Sequence, residues 1–101
     1  MRVIGLNVGV DRSLFEEVNG FDEAYVGWGH EDNDLRDRIL RSQPAPRLHD
    51  LWGRADTFHL WHPPTPDREE ARNAAYFETE KPVRCAAGLV DERQVPVSAR
   101  A

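Results

Sequence analysis

The chain has 101 residues, and its 13 Lys and Arg against 18 Asp and Glu give a formal charge of −5 at pH 7. That length corresponds to one ordinary domain or a piece of a larger one, able to bury roughly two-thirds of its unfolded surface. The acidic balance argues against nucleic acid or an anionic membrane as the main partner, and no apolar run of about 18 residues is present to span a membrane. A single cysteine, Cys85, excludes an internal disulfide and a cysteine-based zinc cluster. The start, Met1-Arg2-Val3-Ile4-Gly5-Leu6-Asn7, has no secretory apolar core, so a reducing, cytoplasmic setting is expected.

In chain order, Val3 to Val10 is apolar and β-branched and predicts a short buried strand. Asp11 is placed to cap a helix over Arg12 to Val18, and Asn19-Gly20 to stop it. Phe21 to Gly29 mixes aromatics and glycines without a period and reads as an ordered loop. A second helix is expected from about Glu31 to Arg41, with Leu35 and Ile39 on its buried face, broken by Gln43-Pro44-Ala45-Pro46. Arg47 to Leu51 and Ala55 to Trp61 read as two strands turning at Trp52-Gly53. After Pro63-Pro64, Thr65 and Pro66 are suited to start a third helix with Ala71, Ala74 and Ala75 on one face and the charged residues in solvent. The residues from Val90 onward read as a frayed tail. The mixture predicts an α/β or α+β domain over residues 1–89 with a flexible tail over 90–101.

The densest chemical cluster is Gly27-Trp28-Gly29-His30-Glu31-Asp32-Asn33-Asp34. Its three carboxylates repel one another at a helix start, where the helix dipole keeps them ionised, a combination suited to a general base for a hydroxyl. The glycines allow close approach to the backbone, and Trp28 offers a flat face on which a sugar can stack. Acidic residues are ordinary in any first helical turn, so the glycines and tryptophan are what point to a site. The loop lacks the glycine and distal glutamate of an EF-hand. A second cluster, His59-Leu60-Trp61-His62, offers imidazole ligands, although in a strand the two rings would face opposite ways. His62, ahead of two prolines, is the better-placed ligand and reads equally as a structural histidine, whereas His59 reads first as a structural one satisfied by backbone carbonyls. Gly5 to Gly9 lacks the spacing of a phosphate-binding loop, and Asn7 there could face a ligand or sit at a sheet edge.

The stretch Val18-Asn19-Gly20-Phe21-Asp22-Glu23, then Gly27 to Leu35, then Arg38-Ile39-Leu40, resembles the C-terminal half of GT-A-fold glycosyltransferases. The likeness is to the galactosyltransferase C-terminal domain and to bacterial family 2 transferases that build surface polysaccharides. His59-Leu60-Trp61-His62-Pro63, and more weakly Arg84 with Gly88-Leu89, extend it over roughly Val3 to Leu89. The resemblance implies the C-terminal half of a nucleotide-diphospho-sugar transferase fold, without the N-terminal nucleotide-binding half and its Asp-x-Asp motif. It implies an inverting hexosyl transfer from a nucleotide-sugar donor to a glycan hydroxyl. Asp32 then corresponds to the catalytic base, and Trp28, Gly29, Glu31 and Asp34 to acceptor-binding residues, Glu31 and Asp34 also holding local structure. Asn7 corresponds to the donor side, His62 to a ligand of manganese or magnesium, and His59 to a second ligand in some relatives. The cation is expected only with a complete donor site.

Asp32 and His62 are accordingly expected to face one sugar-sized hollow. Expected partners are the donor, the acceptor glycan, and either a separate nucleotide-binding half or a second copy of the chain. The alternatives are a non-catalytic carbohydrate- or partner-binding module that kept the acceptor side, and a small metal-dependent hydrolase, for which no His-Glu-x-x-His motif is present.

Overall fold

The computed structural model describes residues 7–64 and 69–93. Its regular elements are three helices, α1 (Arg12–Glu17), α2 (Glu31–Leu40) and α3 (Glu70–Phe77). α1 begins as its sequence requires, with the Asp11 carboxylate accepting from the Leu14 N–H at 3.2 Å and the Ser13 hydroxyl at 2.6 Å. The Ser13 hydrogen bond, followed by that from Leu14, holds the Asp11 carboxyl below its ordinary range. The helix stops where Asn19 and Gly20 both turn to positive φ, 66° and 68°, values open to asparagine and glycine at little cost. Arg84 closes that end by donating to the Glu16 and Glu17 carbonyls, both at 2.9 Å. Lys81 does the same for α3, with its ammonium 2.8 Å from the Tyr76 carbonyl and 3.0 Å from that of Phe77.

Polar groups build the centre as much as apolar ones. Val18, Leu35, Cys85 and Ala87 are buried, but so are Asn19, Asp22, Asp34, Arg38 and Asn73. Each of these five polar side chains has hydrogen-bond partners, as low local dielectric demands. Arg38 donates to Asp34 and to the Val18 and Gly20 carbonyls, tying α2 to the end of α1. The Asn19 side chain donates to the Cys85 and Val90 carbonyls, both at 2.8 Å, and accepts from the Val90 N–H at 2.9 Å. Residues 85–91 thereby fold back on themselves through an isolated antiparallel bridge between Ala87 and Asp91. The expectation of a frayed tail from Val90 is corrected for Val90 to Arg93, because both backbone groups of Val90 are engaged by Asn19 and the Glu92 N–H bonds the Ala86 carbonyl at 2.7 Å. Residues 94–101 lie outside the described set.

Three further expectations change. Among the described residues no strand forms at 7–10, 47–51 or 55–61, and Val3 to Leu6 lie outside the set. The turn at Trp52-Gly53 is present, closed by the Arg54 N–H on the Leu51 carbonyl at 2.8 Å, but its arms do not pair. A strand needs a backbone ladder to a neighbour, and among the described residues no such ladder joins these exposed segments. In α3 the buried residue is Asn73, while Ala71 and Ala75 face solvent, so the small-residue stripe is not the packing face. Thr65 and Pro66, the expected start of this helix, lie outside the described residues. No described helix is long and apolar enough to cross a membrane.

Candidate functional site

The loop Gly27-Trp28-Gly29-His30 climbs into α2 through consecutive unusual backbone angles. Gly27 sits at φ 71°, Gly29 at 116° and His30, the residue capping α2, at 72°. Glycine, with no β-carbon, takes the first two without strain. Three contacts hold this loop. The Glu31 carboxylate reaches back to the Gly29 N–H at 3.1 Å. The His30 ring packs against Phe77 with centroids 5.3 Å apart and meets the Glu70 carboxylate at 3.1 Å through Nε2. Asn73, 1% exposed, donates to the Val26 carbonyl at 2.9 Å and the Trp28 carbonyl at 3.1 Å, and accepts from the Val26 N–H at 3.3 Å. The result is a fixed backbone from which the Trp28 side chain stands out, the residue being 59% exposed.

The clustered acids are separated by their partners. Glu31 serves the loop, and Asp32 accepts from the Asn33 N–H at 2.7 Å. Asp34 turns inward to Arg38, at 2.8 Å, and its side chain is 2% exposed. Of the two roles expected for Asp34, the geometry provides the structural one; buried in this ion pair, it is not presented to an acceptor. Asp32 is the member of the cluster that lines a cavity of about 250 Å³. Val8 to Asp11, Leu14, Phe15, Leu35, Ile39 and Pro46 to Leu48 line it as well, with Arg36 and Arg47 as its basic residues. Its walls are mostly apolar, and Asp32 gives it one acid on the α2 side.

His59 and His62 are not part of that lining. The expectation that Asp32 and His62 face one hollow is therefore corrected: without a paired strand, residues 55–62 stay exposed and are not drawn onto the cavity wall. The two imidazoles do meet each other, with centroids 5.1 Å apart, because the chain bends between them where a strand would have kept them on opposite faces. The His62 Nδ1–H donates to the Pro63 carbonyl at 2.8 Å, which leaves Nε2 with a lone pair directed outward. Among the described residues no group of three or more His, Cys, Asp or Glu side chains could hold a metal ion, so this pair is at most part of a donor set and does not by itself fit a tightly held cation. Asn7, on the exposed segment before α1, donates its side-chain amide to the Ala55 carbonyl and so links the two irregular segments.

Asn73 and Arg38 are structural members of this site that composition and periodicity do not single out. Arg38 had a signal in its spacing, four residues after Asp34 on one helix face. Asn73 had a fainter one, a poor helix former in the middle of an alanine-rich helix.

Comparison with known proteins places the sequence in a family. A family model described as the N-terminal domain of galactosyltransferase matches residues 1–61, which include Asn7, the Trp28 loop and Asp32. A β-N-acetyl-D-glucosaminide β-1,4-N-acetylglucosaminyl-transferase of Lymnaea stagnalis is 41% identical over 51 residues, covering 44% of this chain and 10% of the snail protein. Beta-1,4-galactosyltransferase 4 of Homo sapiens is 43% identical over 44 residues, covering 39% of this chain and 13% of the human protein. The matched region thus spans about a tenth of the length of these relatives. No solved structure gives a significant match. With more than half of its residues matched by that model, the chain belongs to the galactosyltransferase family of glycosyltransferases.

Proposed function

We propose that this chain forms the acceptor side of an inverting hexosyltransferase, corresponding to the C-terminal half of a GT-A fold, and that it moves galactose or N-acetylglucosamine from a nucleotide-activated donor onto a β-N-acetylglucosaminide hydroxyl. The observation that carries this reading is the Trp28 loop: an exposed aromatic ring on a clamped, glycine-flanked backbone, leading directly into the helix turn that holds Asp32. The apolar face of a pyranose stacks on Trp28 while its hydroxyls meet the polar loop. Asp32 accepts the proton of the attacking hydroxyl. The hydroxyl oxygen forms the new bond at the anomeric carbon, and the bond from that carbon to the donor diphosphate breaks with its electron pair, which leaves on the diphosphate. His62, whose Nδ1 is held by the Pro63 carbonyl, would be one ligand of a divalent cation on the donor side, where the cation would stabilise the departing diphosphate.

The test is transfer from nucleotide-activated galactose and N-acetylglucosamine to a β-N-acetylglucosaminide. Asp32→Asn is expected to lower turnover by about 10²–10⁴-fold while leaving acceptor affinity and the circular dichroism spectrum unchanged. Undiminished turnover in that variant would remove Asp32 from the reaction. A second reading is a carbohydrate-binding module that presents the exposed Trp28 platform without transfer. Acceptor binding by the wild-type chain with no product formed would select it.

A further inference from the structure

We infer that Asn73 is a positioning residue for the sugar platform, acting through Trp28 from a helix that lies beyond the family-matched segment. This rests on the acceptor reading of Trp28. The family match ends at residue 61, and α3 begins at Glu70. Yet the backbone groups on the approach to the platform end on this one side chain. Both amide protons of Asn73 are used on the Val26 and Trp28 carbonyls, and its oxygen takes the Val26 N–H, so the donors and the acceptor of the carboxamide are all engaged across 45 to 47 residues of sequence.

Gly27 and Gly29 have no side chains with which to hold themselves, and their positive φ values make this stretch cheap to rearrange. A β-carbon at Gly27 would lie 3.6 Å from Glu69, and one at Gly29 would lie 3.6 Å from Glu70, so the loop rests against the first turn of α3. His30 on Glu70 anchors the far side of the loop, leaving Asn73 to fix the near side. Burial strengthens these hydrogen bonds and makes their loss costly. Without Asn73, Trp28 keeps its exposure and loses its direction. A carboxamide is suited to the task because it offers two donors and an acceptor from one rigid plane; aspartate lacks the donors, and serine offers only one.

The test is nuclear magnetic resonance on the 15N-labelled tryptophan indoles of the whole chain, titrated with N-acetylglucosamine, in wild type, Asn73→Ala, Trp28→Ala and the double variant. In wild type the Trp28 indole is expected to be ordered and to shift with the sugar, while Trp52 and Trp61 do not respond. In Asn73→Ala the Trp28 indole becomes mobile, Trp52 and Trp61 are unchanged, and the dissociation constant rises about tenfold. In the Trp28→Ala background, Asn73→Ala has no further effect on affinity, which a merely structural role would not produce. An unchanged Trp28 signal and affinity in Asn73→Ala, or additive losses in the double variant, would overturn the inference while leaving the acceptor reading intact. No response of Trp28 to the sugar in wild type would overturn the acceptor reading, and this inference with it. If Asn73→Ala does not fold, Asn73→Ser enters the same cycle, and failure of both to fold assigns Asn73 to the fold as a whole and overturns the inference.

Discussion

Arg38 and Asp34, one turn apart on α2, form a fully buried ion pair with Nε 2.8 Å from Oδ2, and the rest of the guanidinium is spent on the Val18 and Gly20 carbonyls at 2.8 Å each. The pair stands at the junction of α1, α2 and the segment around Val83, whose carbonyl lies 3.5 Å from the same guanidinium. Buried pairs owe much of their importance to the cost of leaving one partner alone. Arg38→Ala leaves the buried Asp34 carboxylate to the Lys81 ammonium 3.9 Å away and removes the charged donor from the Val18 and Gly20 carbonyls, and is expected to cost about 3 kcal/mol, a large share of the stability of so small a domain. Urea unfolding with tryptophan fluorescence measures it. Arg38→Lys is expected to recover little, since one ammonium cannot reach three acceptors set out for a planar fork.

Gly88 lies where the returning segment crosses the end of α1. A β-carbon there would fall 1.7 Å from the Asn19 carbonyl oxygen and 2.9 Å from the Cys85 sulfur. The same carbonyl accepts the Leu89 N–H at 2.9 Å, so it cannot retreat without losing that bond. Gly88→Ala is expected to destabilise by about 3 kcal/mol or more. Gly20→Ala meets Leu89 Cγ at 2.9 Å and the Phe15 ring at 3.1 Å at a positive φ of 68°, and is expected to cost about 2 kcal/mol, less than Gly88→Ala because side chains rather than a backbone carbonyl must give way. Thermal melts of the two variants, side by side, check the order.

Tyr25 and Tyr76 pack edge to face with centroids 4.9 Å apart, each beside a carboxylate. Burial, then the charge of Asp34, pushes the Tyr25 hydroxyl well above its ordinary value of 10.0; burial, then the hydrogen bond to Asp22 at 2.6 Å, does so for Tyr76. The folded chain therefore keeps protons that the unfolded chain releases near pH 10. Their contribution to stability is complete below about pH 10 and is lost as pH rises beyond it. Each tyrosine contributes up to about 1.4 kcal/mol per pH unit to that decline. Among the described residues the Tyr25 hydroxyl makes no hydrogen bond of good geometry, the Asp34 carboxylate acting on it chiefly through its charge, so Tyr25→Phe is expected to leave neutral stability little changed and to make the decline between pH 10 and 11 shallower. Urea titrations at pH 8 to 11 decide it.

Phe58 is 97% exposed and Trp61 83% exposed on a segment without regular structure. Surface side chains with no contacts contribute little, so Phe58→Ser and Trp61→Ser are each expected to change stability by less than about 0.5 kcal/mol. A larger fall in the melting temperature would show that these side chains are covered in solution.

Local physics decided the helices and the loop. Asp11 with Ser13 begins α1 and Asn19-Gly20 ends it, because caps and left-handed stops depend on a few neighbouring residues, and the Gly27 to Asp34 cluster was legible for the same reason. Tertiary structure decided what each member of that cluster does. Which carboxylate turns inward depends on Arg38 and on the carbonyls that complete its shell, and the hold on Trp28 depends on Asn73, 45 residues away, a separation that no local pattern encodes. It decided the strands as well: the segments at 47–51 and 55–61 read as strands, but a strand is a property of a pair, and its backbone groups become a ladder only where a neighbour meets them.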